Sequence, residues 1–193
     1  MLAILAAYLL GSFPSAVLVS HAVSGGDIRA FGDGNMGARN TTRSLGWKAG
    51  IMVAILDFGK GVIAVALARN LGASAGTQLL SVAAAVLGHD FPLWAHFRGG
   101  QGMATSLGGL MVLMPEPVLW GMVTFGSAFV LLRHFDLSAG LGLGLIVAMA
   151  GIQGQPGLRV ALAALLFVSI GIKKWLDTNR QSANLPWNSG KHI

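Results

Sequence analysis

Glycines and basic residues share the first polar segment of the chain, which follows an apolar run at the N-terminus. Gly32, Gly34 and Gly37 match the pattern GxGxxG, but no β-strand is predicted before them, so a dinucleotide-binding unit is not expected. Glycines still allow positive φ angles, which turn backbone N–H groups toward an anion, and Arg39 and Arg43 would add charge nearby. The segment is therefore either an anion-binding loop or a flexible basic loop that docks on lipid head groups.

A second glycine-rich loop reads Phe-Arg-Gly-Gly-Gln-Gly-Met-Ala-Thr over residues 97–105. It follows the sequence Leu-Gly-His-Asp-Phe-Pro at residues 87–92, where another apolar run ends. Both loops are predicted to face the same side of the molecule. Two such loops on one face favour a composite anion site.

Three titratable residues lie within apolar runs or at their ends. Asp57 and Lys60 are three residues apart, which places them on one face of a helix. Because charges in a bilayer are costly and rarely stay unpaired, an ion pair within the helix is the favoured interpretation. His89 is a candidate proton carrier, although a lone histidine in an apolar helix is more often a hydrogen-bonded structural residue.

The sequence contains no pattern typical of covalent or metal catalysis. There is no cysteine, and neither a Ser-His-Asp arrangement nor a cluster with metal-ligand spacing is evident. We therefore expect neither a metal ion nor an organic cofactor. Asp33 and His89 are the catalytic candidates, and the sequence assigns neither of them a role.

Composition indicates that membrane helices position these loops. Of the 193 residues 54% are apolar and only 10% are charged, and the mean hydropathy is +0.68, whereas a soluble domain needs more charge to cover its surface. Glycine is abundant, as in membrane proteins whose helices pack closely. Gly140–Gly144 and Gly151–Gly154 are stretches expected to form such close contacts.

Apolar runs near the roughly 20 residues needed to cross hydrocarbon predict an all-α integral membrane protein with about seven transmembrane helices. The predicted spans are residues 2–22, 49–69, 75–95, 102–116, 117–133, 138–155 and 157–175. The fourth and fifth are short and are separated by Met114-Pro-Glu-Pro117, so a helical hairpin bent at the prolines is expected. We expect one polytopic domain over residues 1–193, with motif loops near 24–48, 96–105 and 133–139 and a tail at 176–193.

Lysine and arginine fall mainly on one side of these spans. The loops after spans one, three and five and the C-terminal tail hold Arg29, Arg39, Arg43, Lys48, Arg98, Arg133, Lys173, Lys174, Arg180 and Lys191, whereas the opposite loops hold Arg69 and Arg159. Because basic residues of short loops stay in the cytoplasm, the N-terminus is predicted outside and the C-terminus inside. A net charge of +6 divided among such loops fits anionic lipid head groups or a phosphorylated substrate, and not nucleic acid.

A series of motifs extends along nearly the whole chain. It runs through Gly11-Ser-Phe-Pro14, Gly32-Asp-Gly-Asn-Met-Gly-Ala-Arg-Asn40, Leu56-Asp-Phe-Gly-Lys-Gly61, Gly88-His-Asp-Phe-Pro92 and Phe97-Arg-Gly-Gly-Gln-Gly-Met-Ala-Thr105. In this order and spacing the motifs resemble those of the bacterial acyl-phosphate-dependent glycerol-3-phosphate acyltransferases. Chance agreement at that order and spacing is not expected.

The resemblance implies seven spans in the bacterial inner membrane with the N-terminus outside. It also implies transfer of a fatty acyl group from acyl phosphate to the 1-hydroxyl of glycerol 3-phosphate, which makes lysophosphatidic acid for phospholipid biosynthesis. These substrates and membrane lipids would be the partners. The residues that would bind substrate or phosphate are Gly32, Gly34, Asn35, Gly37, Asn40, Arg43, Arg98, Gly99, Gly100, Gln101, Gly102, Lys173 and Lys174.

The chain departs from the family pattern at several motif positions. Asp33 replaces a serine, and a carboxylate at close range repels a phosphate by roughly a few kcal/mol at an effective dielectric constant near 20. Arg39 replaces a threonine, and we expect it to pair with Asp33 and cancel that charge. The other departures are Gln101 for lysine, Asp136 and Ala139 for serines, and a missing histidine within Lys173–Asp177.

These departures leave two further hypotheses open. The chain could be a non-catalytic membrane subunit or lipid-binding scaffold with membrane-protein partners. It could also be an acyltransferase for a less anionic acceptor, with Asp33 binding a hydroxyl or an amine. A transporter is less favoured, because inverted repeats and broken mid-membrane helices are not evident in the sequence.

Overall fold

The computed structural model describes residues 1–183, and within that range the chain folds into helices without a β-strand. The α-helices are α1 (Leu2–Gly11), α2 (Ser15–Ser24), α3 (Ala38–Leu45), α4 (Trp47–Asn70), α5 (Ala75–Asp90), α6 (Met103–Leu113), α7 (Pro115–Leu132), α8 (Phe135–Ile152) and α9 (Gly157–Ala183). Single 3-10 turns at Ile28–Ala30 and Leu93–Ala95 follow α2 and α5. The prediction of an all-α membrane protein is confirmed.

The seven predicted spans correspond in order to the α1–α2 segment and to α4, α5, α6, α7, α8 and α9. Four segments of the described chain are both long and apolar enough to cross a bilayer, namely Leu2–Ser24, α4, α7 and α8. The span predicted at 102–116 is wrong in its length, because α6 has 11 residues. At a rise of 1.5 Å per residue it extends about 17 Å, which is less than the thickness of the hydrocarbon core.

The first span is two helices rather than one continuous helix. Pro14 has no N–H to donate, and α1 therefore ends at Gly11 while α2 begins at Ser15. The break leaves backbone carbonyls without helical partners. Lys60 satisfies two of them, since its Nζ donates to the carbonyl oxygens of Gly11 at 3.3 Å and Phe13 at 2.7 Å.

The junction of α6 and α7 confirms the predicted break at the prolines. Met114 is the only residue between the two helices and α7 begins at Pro115. Because α6 is short, its last carbonyls need partners inside the protein. Arg69 donates to the Val112 carbonyl at 3.1 Å and Arg159 to the Leu113 carbonyl at 2.7 Å. The two arginines predicted outside thus cap a helix.

Close helix packing depends on glycines at the contacts of α4 with α6 and of α1 with α5. A Cβ atom on Gly61 would lie 2.1 Å from the Thr105 carbonyl oxygen, and one on Gly108 would lie 2.0 Å from the Phe58 carbonyl oxygen. Within the stretch Gly140–Gly144, only Gly142 has a neighbouring helix within 4 Å of an added Cβ. The expectation for that stretch is therefore correct at one residue, since its other glycines and Gly151 have open space beside them.

Candidate active site

The two glycine loops lie on the same face of the helix bundle, as predicted. The Arg29 guanidinium donates to the Ala95 carbonyl at 3.1 Å, which joins the first loop to the second. Asp27 orients this guanidinium through a hydrogen bond of 2.6 Å, and that hydrogen bond holds the pKa of the Asp27 carboxyl below its usual value. The C-terminal part of α9 reaches the same face, where the Asn35 side chain lies 3.5 Å from Asp177.

Asn40 organises the first loop from within. Its side-chain N–H groups donate to the Phe31 and Asn35 carbonyls, both at 3.0 Å, and its Oδ1 accepts the backbone N–H of Asp33 at 3.2 Å. Gly32 has a φ of +58°, and a Cβ there would lie 2.1 Å from the same Oδ1. The loop therefore wraps one buried amide, which fixes its shape.

The second loop caps the end of α5. The N–H of Gly99 donates to the Asp90 carbonyl at 3.2 Å and the N–H of Gly100 donates to the His89 carbonyl at 3.1 Å. A Cβ on either glycine would lie within 2.2 Å of an atom of His89. These two N–H groups are already used, so the glycines serve close packing and helix capping.

A cavity of about 550 Å³ opens between the two loops and the ends of α8 and α9. Of the residues predicted to bind substrate or phosphate, those that line it are Asn35, Gly37, Gln101, Gly102 and Lys174, and the catalytic candidate His89 lines it too. The predicted residues that are not in its lining are Gly32, Gly34, Asn40, Arg43, Arg98, Gly99, Gly100 and Lys173, together with Asp33. Fewer than half of the predicted binding residues therefore line this cavity.

An ion-pair network that the sequence did not predict lies in the cavity wall. Oδ1 of Asp136 lies 2.8 Å from Nη1 of Arg39 and 2.6 Å from Nζ of Lys174. The Arg39 guanidinium also stacks over the Phe135 ring, 4.5 Å from its centroid. The network joins α3, α8 and α9 around the mouth of the cavity.

The predicted pair between Asp33 and Arg39 is wrong, because each residue has another partner. Asp33 lies 3.6 Å from Nη1 of Arg43, one turn further along α3 than Arg39. Arg39 is in the first turn of α3 and reaches across to Asp136 instead. The sequence placed Asp33 and Arg39 close along the chain, but α3 turns their side chains toward different neighbours.

The predicted ion pair of Asp57 and Lys60 is confirmed, with 2.8 Å between Oδ1 and Nζ. Both side chains are buried, and Ser15 donates a short hydrogen bond to Asp57. Nδ1 of His89 lies 3.4 Å from Nζ of Lys60 and 3.6 Å from the Asp57 carboxylate. This cluster ties the break in the first span to α4 and α5, which gives His89 a structural role.

An apolar cavity of about 420 Å³ adjoins the polar one. The two share lining residues, among them Ala54, Met103 and Phe125. The apolar cavity continues between α4, α6, α7 and α8, where Phe58, Leu107 and Ile146 line it. Through residue 183, no group of three or more His, Asp or Glu residues is placed to hold a metal ion.

Comparison with known proteins agrees with this geometry. The family model described as glycerol-3-phosphate acyltransferase matches residues 1–182. The chain belongs to this family. Glycerol-3-phosphate acyltransferase 2 of Dehalococcoides mccartyi is 36% identical over 183 residues, which cover 95% of this chain and 87% of that protein.

Two crystal structures of the family member PlsY, an integral membrane glycerol 3-phosphate acyltransferase, share the fold. The glycerol 3-phosphate form superposes with a TM-score of 0.84 at 30% identity, and the lysophosphatidic acid form with a TM-score of 0.81 at 28% identity. Each comparison covers 94% of this chain and 91% of the other. The chain therefore shares its fold with an integral membrane acyltransferase of the same family.

Sequence reasoning missed Arg39, Phe135 and Asp136 as parts of the cavity wall. The sequence indicated Arg39 as a charge near an anion and as a partner of Asp33, and it indicated Asp136 only as a departure from a family pattern. The signal that could have identified them is their charge, since oppositely charged residues that both depart from a neutral pattern are candidates for a pair.

Proposed function

We propose that this chain transfers a fatty acyl group from acyl phosphate to glycerol 3-phosphate and forms lysophosphatidic acid. The observation that carries the proposal is the junction of a polar cavity containing Arg39 and Lys174 with an apolar cavity between the helices. A phosphate head group and an acyl chain need such adjoining environments. Membership of the glycerol-3-phosphate acyltransferase family supports the same reaction.

In the proposed reaction the acceptor hydroxyl oxygen attacks the acyl carbonyl carbon, and the bond between that carbon and the phosphate oxygen breaks. The hydroxyl proton passes to a phosphate oxygen, and inorganic phosphate leaves. The substrate's own phosphate can accept this proton, so no protein base is required. The chain supplies position and positive charge through Arg39, Lys174 and the loop backbone.

The donor and the location are parts of the same proposal. Acyl phosphate is the donor that the resemblance implies, and the bacterial inner membrane is the corresponding location for this multi-pass protein. The predicted orientation would place both glycine loops, and therefore the polar cavity, in the cytoplasm. Glycerol 3-phosphate could then enter from the water while the acyl donor enters from the bilayer.

One observation favours a non-catalytic, lipid-binding scaffold as the second candidate. Three of the four cations expected to bind phosphate already have carboxylate partners inside the protein. Lys174 contacts Asp136, Lys173 contacts Asp177 at 2.8 Å and Arg43 contacts Asp33. A scaffold would bind lysophosphatidic acid or phospholipid without forming new product.

An assay of the purified protein with palmitoyl phosphate and glycerol 3-phosphate tests the proposal. We expect lysophosphatidic acid and inorganic phosphate in equal amounts, measured by mass spectrometry and phosphate detection. Replacing Lys174→Gln should lower kcat/KM by about tenfold to a hundredfold, because a charge-assisted contact to phosphate is lost. Lys48→Gln is the matched control, since Lys48 lies beside the Trp47 ring and is not in the cavity lining.

Absence of product from folded protein would contradict the enzyme proposal. Binding of lysophosphatidic acid without turnover would then favour the scaffold. Turnover that Lys174→Gln and Lys48→Gln reduce equally would show that the cavity is not the reaction site.

A further inference from the structure

We propose that Asp136 determines acceptor affinity by competing with the substrate phosphate for the two cations of the cavity. The identity of the substrate rests on the proposed function, whereas the competition concerns anion binding alone. Asp136 is therefore an internal anion. An incoming phosphate must either displace it from the two cations or share those cations with it.

The geometry of Asp136 is that of a bound anion. A single oxygen, Oδ1, accepts from Nη1 of Arg39 at 2.8 Å and from Nζ of Lys174 at 2.6 Å. An oxygen of a phosphate group would take the same place between a guanidinium and an ammonium group. All three residues line the cavity of about 550 Å³, so the carboxylate lies where an anionic ligand would be held.

Arg39 is positioned by more than the carboxylate. Its guanidinium stacks over the Phe135 ring at 4.5 Å, and Phe135 packs edge-on against Phe125 with 5.4 Å between ring centroids. The attraction between a cation and an aromatic face does not depend on the carboxylate, so it remains when Asp136 is replaced. The loss of the Asp136 charge should therefore leave the Arg39 cation facing the cavity.

The net charge of the part of the cavity wall that contains Arg39 and Lys174 depends on Asp136. Arg39 and Lys174 supply two positive charges, and Asp136 cancels one of them. The other acidic group in the lining, Asp57, is already paired with Lys60, and His89 lies beside that pair. A doubly charged phosphate thus meets about half of the positive charge that the cations alone would provide.

The Asp136 side chain is also partly exposed to solvent. Its side chain is 40% exposed and lies in the first turn of α8, where the helix dipole stabilises a carboxylate that has turned to solvent. An anion in solution can therefore approach this carboxylate and its two cations directly.

The test measures the dissociation constant of inorganic phosphate for the purified chain by calorimetry, which requires no turnover. Asp136→Asn should bind phosphate about threefold to thirtyfold more tightly, because a competing charge is removed from a partly exposed site. Glu116→Gln is the matched control, since it removes an exposed carboxylate in the first turn of α7 outside the cavity lining, and its phosphate affinity should equal that of the unmodified chain. Adding Lys174→Gln to Asp136→Asn should abolish the gain.

A folded Asp136→Asn protein with unchanged or weaker phosphate affinity would overturn the inference. Asp136→Ser provides the same test should the asparagine variant not fold, and failure of both to fold would show that Asp136 is a structural tether. Tighter phosphate binding without acyl transfer would overturn the proposed function and leave the inference intact. Acyl transfer with unchanged phosphate affinity would support the proposed function and overturn the inference about Asp136.

Discussion

Opposite charges in the first loop and in the cavity wall come from different parts of the chain. Asp33 and Arg43 lie in the first loop and α3, whereas Arg39, Asp136 and Lys174 join three helices. Each carboxylate weakens the field that its cation presents to an anion. Single charge changes at these positions should therefore alter substrate affinity more than they alter folding.

Gln101→Lys adds a cation directly to the cavity lining. We expect kcat/KM for glycerol 3-phosphate to rise roughly tenfold to a hundredfold, which corresponds to one charge-assisted contact of about 1.5–3 kcal/mol. Asp33→Ser should raise kcat/KM by a smaller factor, because Asp33 is not in the cavity lining. Gln153→Lys, at the other end of α8, is the control that should change nothing, and an equal gain there would mean that only net charge matters.

Neutralising one member of the buried Asp57–Lys60 pair should destabilise the protein strongly. Asp57→Asn leaves the Lys60 ammonium uncompensated, at a cost of about 3–5 kcal/mol. The double change Asp57→Asn with Lys60→Met should be more stable than Asp57→Asn alone, since the uncompensated Lys60 charge is removed as well. Thermal unfolding in detergent measures this order, and a single variant as stable as the unmodified chain would contradict the role assigned to the pair.

At the scale of the elements, helix breaks and close contacts position the site. The break at Pro14 supplies carbonyls for Lys60, and α6 is short enough for Arg69 and Arg159 to cap its end. Gly61 and its partners on α6 then bring α4 close enough to form one wall of both cavities. Increased bulk at this contact should therefore affect stability and activity together.

Gly61→Ala and Gly59→Ala form a matched pair on α4. A Cβ on Gly61 would lie 2.1 Å from a backbone oxygen, whereas nothing lies within 4 Å of a Cβ on Gly59. We expect Gly61→Ala to destabilise by about 1–3 kcal/mol through overpacking, and Gly59→Ala to be neutral or to stabilise by up to about 1 kcal/mol through helix propensity. Equal unfolding temperatures for the two variants would rule out the close contact between α4 and α6.

At the scale of the whole molecule, a polar cavity at one face leads into an apolar cavity among the helices. Under the proposed function, this arrangement separates the charged head group of the substrate from its hydrocarbon chain. It also requires that the polar end face the compartment that contains glycerol 3-phosphate. Both properties can be measured on the intact protein.

Leu107→Trp should shorten the acyl chain that the protein accepts, because Leu107 lines the apolar cavity. We expect kcat/KM to fall about tenfold more for palmitoyl phosphate than for decanoyl phosphate, a difference that a pocket change of this size can produce. Leu80→Trp is the control, since Leu80 is 56% exposed on α5 and is not in the cavity lining. An equal loss for both donors would show that the chain binds elsewhere.

Single cysteines test the orientation, since the chain has no cysteine of its own. With the N-terminus outside, Leu71→Cys should react with an impermeant thiol reagent on intact cells, and Ser24→Cys should react only after the membrane is opened. Ser189→Cys should behave like Ser24→Cys, although Ser189 lies outside the described residues. Labelling of Ser24→Cys on intact cells would reverse the orientation.

The sequence by itself determined the helical membrane architecture, the family and the position of the glycine loops on one face. It also predicted the pair of Asp57 and Lys60, because apolar runs, motif order and a spacing of three residues are local properties of the chain. Only the tertiary structure decided which charges meet. Arg39, Asp136 and Lys174 are far apart in sequence, and the packing of α3, α8 and α9 brings them together. Ion-pair partners depend on the direction in which each helix turns its side chains, and that direction is fixed by packing rather than by sequence separation.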